Sequence, residues 1–407
     1  MDETFKNFCS IPFLSMYLKE NIRDTNDARP CCEYRGRFLT DDPVTVEGYW
    51  NSESYKKLRE LFNKRIMPHE CQVCIDDEKN GIRSKRQDFN KDFYKEAKYF
   101  YENKLTECPP PLYYDIRPSN YCNLECVMCN PHNSSSIDDR YRKYEDKSFF
   151  LMDDIYNGTH DDGWVDYLHK NAEHIRKVCY AGGEPLLMPQ VINSINWQVD
   201  NGYSENVDLK FLTNATIFRS KWVDLFTKYK RVEFNLSIDG IGDTIEYVRF
   251  PTKWKVVEKN LKLFKELNDN HDNIDVKVIP TIQLLNFVGF HKLVNLTKTS
   301  GFKIDVTPVY HSQDKDYLHF TRLTHDIRKK EVDLIRKELE DYDPEEHNFT
   351  EDMLDSLEHN DFGLGEDHHL FPQIVKFWDS YNPKKFLDTF PYLDYLLKDS
   401  NSFQKSA

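Results

Sequence analysis

Three cysteines stand in the run SNYCNLECVMCNP as Cys122-x3-Cys126-x2-Cys129. Three thiolates on one short loop can each hold one iron of a [4Fe–4S] cluster. The fourth iron then lacks a protein ligand and stays open to a cofactor or substrate, by the logic that leaves a catalytic zinc one open position. A zinc knuckle missing its fourth ligand is the competing assignment. A second group of thiols comes earlier: Cys9, the adjacent Cys31 and Cys32, and Cys71-x2-Cys74. A CxxC pair with two further thiols can supply four ligands to an iron–sulfur cluster or to a structural zinc. Cys108 and Cys179 stand apart, and Cys179, inside an apolar run, reads as a small buried hydrophobe.

Such side chains need a frame. From residue 112 onward six short apolar or β-branched runs recur, at about 112–117, 177–181, 208–213, 232–238, 274–282 and 302–309. Amphipathic helical patterns lie between them, at about 163–175, 188–200, 219–229, 252–268 and 288–298. Strands alternating with helices indicate an α/β fold with a parallel sheet and right-handed crossovers. Six such units make a partial (β/α)6 TIM-like barrel, whose chemistry sits at the C-terminal strand ends. A doubly wound sheet is the competing layout. The triple proline at 109–111 marks a boundary. Ahead of it, helical spacing at 53–66 and 88–104 and few apolar alternations suggest a small module that depends on a bound ligand more than on a large core. Beyond about 312 the pattern turns helical, with one long helix at 320–342. The expected domains are therefore 1–107, a cysteine-rich module; 108–311, the barrel; and 312–407, a helical extension.

Polar groups cluster where the strands should end. Ala181-Gly182-Gly183-Glu184-Pro185 follows the second barrel strand. Its two glycines permit φ > 0 and close approach of a ligand, and Glu184 offers a carboxylate to an amino group. Thr213-Asn214-Ala215-Thr216 follows the third strand and Ser237-Ile238-Asp239-Gly240 the fourth. Arg249 lies on the next element, and a guanidinium fork fits a carboxylate in a bidentate manner. Gln283, after the fifth strand, is a candidate for the cavity wall, and Val309 follows the sixth.

The Cys122/Cys126/Cys129 spacing after the first barrel strand resembles the signature of radical S-adenosylmethionine (SAM) enzymes, and the likeness extends over about 110–310. The run CNLECVMC is similar to the branch with SPASM or twitch auxiliary-cluster modules. The resemblance implies that SAM chelates the open iron and is cleaved reductively to methionine and a 5′-deoxyadenosyl radical that abstracts hydrogen from an unreactive C–H bond. It further implies that Gly182, Gly183, Glu184 and Pro185 hold the SAM amino group. Ser237 and Asp239 would lie near the ribose and methionyl part, Arg249 would pair with the SAM carboxylate, and Val309 would pack on adenine. Thr213 and Asn214 occupy a turn where family members often carry glycine at the position of Ala215. Met128, inside the cysteine loop, belongs to the same cofactor-contact set. The N-terminal module resembles a twitch half-module placed ahead of the barrel. Its implied ligands are Cys9, Cys71, Cys74 and one of Cys31 and Cys32; Cys31 is taken as the ligand and Cys32 as the spare thiol. An auxiliary [4Fe–4S] cluster would follow.

Composition narrows the partners. The chain has 407 residues, with 55 Lys+Arg against 69 Asp+Glu and a formal charge of −14. That balance argues against DNA or RNA as a substrate, because phosphate contact needs clustered cations. No apolar run is long enough for a transmembrane helix, and MDETFKNFCSIPF lacks the form of a secretory signal. A reducing, cytoplasmic setting is therefore expected, in which clustered thiols serve as metal ligands. The implied partners are a peptide or small-molecule substrate and a one-electron donor such as flavodoxin or ferredoxin. A non-catalytic Fe–S or Zn scaffold is the alternative, although a scaffold has no use for polar motifs at strand ends. His368-His369 and the acidic run at 339–346 read as solvated surface.

Overall fold

The computed structural model describes residues 5–19, 29–36, 46–79, 83–144, 163–308, 316–360 and 370–398. Val309, His368 and His369 lie outside the described residues. In chain order the elements begin with α1 (Ile11–Leu14), β1 (Ser15–Lys19), α2 (Val46–Trp50), α3 (Glu53–Asn63), α4 (Gln72–Lys79), α5 (Lys85–Asp92) and α6 (Tyr94–Asn103). They continue through β2 (Tyr113–Arg117), α7 (Ser135–Lys143), α8 (Gly163–Lys170), β3 (Lys177–Tyr180), α9 (Pro189–Asp200), β4 (Asp208–Thr213) and α10 (Val223–Phe226). Next come β5 (Arg231–Leu236), α11 (Gly242–Val248), α12 (Trp254–Asn270), β6 (Ile274–Val278), β7 (Thr281–Ile282), α13 (Phe290–Thr299), β8 (Lys303–Ile304) and β9 (Thr307–Pro308). Four helices close the chain: α14 (His325–Leu339), α15 (Glu351–His359), α16 (Phe371–Tyr381) and α17 (Phe386–Thr389).

The fold class read from the alternating pattern stands: a seven-stranded sheet runs in the order β1-β2-β3-β4-β5-β6-β8, and β7 pairs with β9. β1, β2, β3 and β4 are joined by parallel ladders, as are β6 and β8. β2 is buried at four of its five positions, as a parallel strand covered on both faces should be.

Four expectations change. The first is β1, which sequence pattern did not reveal. Its five residues, SMYLK, lie in a stretch with too few apolar alternations for a period to show, yet they pair with β2 in register Met16↔Tyr114. The second is the helix expected at 88–104, which is two helices. A capping box fixes the start of α5: Ser84 accepts from the Gln87 backbone, and the Gln87 side chain answers. Phe93 then leaves helical geometry and stacks on Phe89 at 4.6 Å. Third, the run at 274–282 divides at Pro280, which has no N–H for the ladder, so that β7 leaves the main sheet for β9. Fourth, the long helix begins at His325 rather than 320, behind the N-cap Thr324.

Two compact units divide the chain: residues 1–119, 157–212 and 220–233 form one, and 120–156, 213–219 and 234–407 the other. The first unit has an apolar core after all. Phe8, Phe13, Tyr55 and Phe62 are buried, and Phe8 packs on Phe13 at 5.4 Å and on Tyr101 at 5.3 Å. Irregularly spaced aromatics, each covering a large area, replace the aliphatic alternation whose scarcity had suggested a ligand-dependent module. Arg59 is buried among them. Its Nε donates to Pro12 O (2.8 Å), Nη1 to Thr106 O (2.8 Å) and Asn51 Oδ1 (2.9 Å), and Nη2 to Trp50 O (2.7 Å), while the guanidinium lies 4.4 Å from the centre of the Trp50 ring. One side chain thus satisfies carbonyls from three distant segments. In the second unit Tyr247 of α11 anchors the C-terminal helices, donating to Asp379 Oδ1 of α16 (3.0 Å) and packing on Phe390 at 5.3 Å. Among the described residues no helix is long and apolar enough to cross a membrane.

Arg59→Met should lower the free energy of unfolding by about 3 kcal/mol, because it strands the buried carbonyls of Pro12 and Trp50 and the partly buried one of Thr106. Arg59→Lys should recover little, since a single ammonium cannot reach all of them. Urea unfolding of the two variants checks this.

Candidate active site

The cysteine loop is built from backbone bonds outward. Ser134 caps α7, accepting from Ile137 N, and its hydroxyl donates to Leu124 O at 2.6 Å. Ser136 Oγ donates to Cys122 O at 2.8 Å, and Asn120 Nδ2 to Pro131 O at 2.9 Å. Cys129 N closes the second turn on Cys126 O at 2.9 Å. From the other side, the end of α11 receives Val127 N on Val248 O (2.9 Å) and Glu125 N on Phe250 O (2.6 Å). Glu125 and Arg140 form a two-point ion pair at 2.8 and 2.9 Å, with Arg140 lying 4.4 Å from the centre of the Tyr381 ring. This bracing fixes where the three sulfurs point.

Two N–H donors face those sulfurs. Arg249 Nη1 lies 3.8 Å from Cys126 Sγ, and Asn214 Nδ2 lies 4.0 Å from Cys122 Sγ. Burial pushes the Cys126 thiol up to about 12, although Arg249 pulls the other way. Arg249 Nε donates to Asp239 Oδ2 at 2.7 Å. The other Asp239 oxygen accepts from Thr281 N (2.8 Å), and the Asp239 carbonyl accepts from Asn286 Nδ2 (2.9 Å). Burial alone would lower the Arg249 pKa; Asp239 and then Cys126 reverse this and hold it well above its usual value. Ser237 N donates to Thr213 O at 2.8 Å, bringing two strand ends together. Ala215 adopts φ 59, the left-handed region that favours glycine, and its carbonyl is held by Asn260 Nδ2 at 2.9 Å. Met128 is half-buried on the loop. Gln283 is fully buried, and among the described residues neither the oxygen nor the nitrogen of its side-chain amide has a partner. A buried amide in that condition fits a site that takes up a polar ligand.

In the first unit, Gly182 and Gly183 have φ 71 and 49. A Cβ on Gly182 would come within 3.0 Å of Arg117 Cβ. Glu184 is fully buried and caps the turn that opens at Pro185, accepting from Leu186 N at 3.1 Å.

The same unit gathers the early thiols. Burial raises Cys9, and the neighbouring Cys71, Cys31 and Cys74 raise it further. Burial, followed by Cys74, pushes Cys71 up to about 12. The backbone beside Cys9 is pinned: Asn90 Nδ2 and Arg86 Nη1 both donate to Phe8 O, and Ser10 N and Oγ donate to Asn90 Oδ1. Glu78 holds Arg86 as an ion pair. Cys32 faces a different set of groups. Lys85 Nζ lies 3.0 Å from its Sγ and 3.3 Å from Asp115 Oδ2, and Arg117 pairs with Asp115 at 3.0 Å. Burial pushes Cys32 up to about 11 in spite of Lys85. Cys108 and Cys179 are both buried.

Among the described residues no three of the ten thiols lie within 4.8 Å of one another. Tetrahedral zinc with 2.3 Å bonds needs sulfurs about 3.8 Å apart. Thiolates on separate irons of one cluster sit farther apart than this.

Residues 116–282 match the Radical SAM superfamily. The chain carries a radical SAM domain. An uncharacterized protein of Methanocaldococcus jannaschii is 27% identical over 127 residues, covering 31% of this chain and 38% of that one. Among solved structures, Streptococcus suis SuiB bound to S-adenosylmethionine is similar over 72% of this chain and 64% of its own, at 14% identity and a TM-score of 0.40. Native anSMEcpe with bound AdoMet is similar over 56% and 60%, at 18% identity and a TM-score of 0.40. The chain thus spans less than two thirds of each of these proteins.

Several residues around the radical SAM domain's cysteine loop escaped the sequence reading: Asn123, whose Oδ1 accepts from Asn214 at 2.9 Å, along with Arg140, Tyr381 and Asn286. Glu125, inside the cysteine run, was the one available signal, since a carboxylate between closely spaced thiols calls for a cation. Nothing in the spacing points to Arg140.

Gly182→Ala should cost about 1–3 kcal/mol from strain at positive φ, plus the contact with Arg117. Gly202→Ala, at φ 75 with nothing within 4 Å of its added Cβ, should show the strain alone. Chemical denaturation of the two variants measures the difference.

Proposed function

We propose that this chain is a radical SAM enzyme that cleaves S-adenosylmethionine reductively and takes hydrogen from a peptide or small-metabolite substrate, assisted by an auxiliary cluster. In this reading 1–107 carries the auxiliary cluster, 108–311 is the SAM-binding barrel and 312–407 is a helical extension. Cys122, Cys126 and Cys129 hold a [4Fe–4S] cluster that, when bound, supplies the electron for cleaving SAM to methionine and the 5′-deoxyadenosyl radical.

The observation that carries the reading is Arg249, a guanidinium fixed between a fully buried Asp239 and Cys126 Sγ. A permanent cation beside a ligating thiol offsets thiolate charge and favours its deprotonated form. Asn214 does the same more weakly for Cys122. The orphan amide of Gln283 offers one donor pair and one acceptor to a polar cofactor. Gly182, Gly183, Glu184 and Pro185 would hold the methionyl amino group, Arg249 would pair with the SAM carboxylate, and Thr213, Asn214, Ser237, Asp239 and Met128 would complete the SAM contacts. Cys9, Cys31, Cys71 and Cys74 would ligate the auxiliary [4Fe–4S] cluster, with Cys32 left to Lys85. A low-potential flavodoxin or ferredoxin would act as the electron donor. A net charge of −14 disfavours nucleic acid as substrate.

Anaerobic reconstitution should load about eight irons per chain, four for each cluster. Dithionite and SAM should then yield 5′-deoxyadenosine. The Cys122→Ala/Cys126→Ala/Cys129→Ala variant should lose about half the iron and all of this product. Cys71→Ala/Cys74→Ala should lose the other half and keep SAM cleavage. A fully loaded protein that makes no 5′-deoxyadenosine overturns the proposal.

A further inference from the structure

Two C-terminal helices bring metal-type ligands together far from either cysteine group in sequence. α14 begins at His325 and α15 ends at Glu358-His359. The helices pack with these ends facing, so that His325 Nε2 lies 3.4 Å from His359 Nδ1. One ligand atom from each of His325, Glu358 and His359 lies within 4.8 Å of the other two, and among the described residues no other trio of His, Cys, Asp or Glu is as tight.

The distance discriminates between two uses of the pair. Hydrogen bonds from N–H donors run at about 2.7–3.2 Å, so 3.4 Å is long for one ring donating to the other. Two imidazole nitrogens bound at about 2.0–2.1 Å to one tetrahedral ion are about 3.3–3.4 Å apart. The remaining ring nitrogens point the same way. His359 Nε2 lies 3.4 Å from Glu358 Oε1, and His325 Nδ1 lies 3.9 Å from Asp326 Oδ1. At these distances the carboxylates act through charge and not as hydrogen-bond acceptors, and negative charge behind each ring makes the facing nitrogen a better donor. Glu358 is itself anchored: its side chain is 5% exposed and its Oε2 accepts from Arg336 Nη1 at 3.0 Å.

We propose that His325 Nε2 and His359 Nδ1 bind a borderline divalent ion of the zinc, nickel or copper class, with the carboxylates of Glu358 and Asp326 lending negative charge behind the two rings and water filling the open positions. Neutral imidazoles select these ions over magnesium or calcium, which prefer oxygen. Both histidines are exposed, so the ion needs no entry path. It would clip the start of α14 to the end of α15, a structural role separate from the chemistry of the radical SAM domain. Lys329 is the built-in rival. Its Nζ lies 3.6 Å from Glu358 Oε1, but its side chain is half exposed and also pairs with Asp333 at 3.3 Å, so it can withdraw.

The test uses the full chain with its iron loaded anaerobically. Zinc is titrated calorimetrically, and cobalt is followed by its visible absorption. Wild type should bind one equivalent of zinc and give a cobalt spectrum of nitrogen and oxygen ligation, without a sulfur charge-transfer band. His325→Ala and His359→Ala should each weaken zinc at least tenfold without changing iron content or the melting temperature in zinc-free buffer. His174→Ala, another exposed histidine beside a carboxylate, should bind as wild type does. Lys329→Ala should bind more tightly, and zinc should raise the melting temperature of wild type but not of either ligand variant. Equal stoichiometry and affinity in wild type and both ligand variants would overturn the proposal, as would a sulfur-type cobalt spectrum or no uptake by wild type.

Discussion

Burying the Asp239 carboxylate out of reach of water demands compensation, and the way the chain supplies it shapes the cysteine site. A lone buried carboxylate would cost several kcal/mol, so every lone pair needs a donor. Arg249 takes one oxygen, Thr281 N the other, and Asn286 the carbonyl behind them. These three partners come from the end of α11, from β7 and from the turn that follows it. Satisfying one carboxylate therefore fixes the end of β5 against three other elements. The same guanidinium then faces Cys126, so the position of the thiol follows from the electrostatics of a residue that touches no sulfur itself.

Much of this frame is legible in sequence because parallel strands are short apolar runs and crossover helices have a 3.6-residue period. The strand-end motifs could be located for the same reason: each follows a run that pattern can find. Asp239 and Arg249 could be named individually, but not as a pair, because ten residues and a helix separate them and spacing carries no information about direction. Arg140 and Asn286 were invisible, since single polar residues on helices and turns look alike until their partners are known. The two histidines of α14 and α15 are 34 positions apart, and the adjacent pair His368-His369 attracted attention only because adjacency is easy to see.

The N-terminal hundred residues were misjudged in one respect. Scarce aliphatic alternation suggested weak packing, yet Phe8, Phe13, Tyr55 and Phe62 make a core by area rather than by period. β1 was missed for a related reason: five residues are too few for a two-residue period to stand out. What sequence did reveal there was the count and grouping of thiols. The part it could not supply was which of the adjacent cysteines turns toward Lys85, a matter of backbone direction over a single residue.

The anchoring of Cys9 carries a consequence for how the protein is made. Its flanking backbone is held by Arg86 and Asn90, so this thiol has no fixed place until a further eighty or so residues have been synthesised. At about 5–20 residues per second that interval is roughly 4–16 s. During it, Cys9 and then Cys31 and Cys32 are on a nascent chain without their later neighbours, open to oxidation or to stray metal. The thiols of this group therefore come together only late in synthesis or after it, and the oxygen exposure of the growing chain, as much as that of the finished protein, sets how many of them stay reduced.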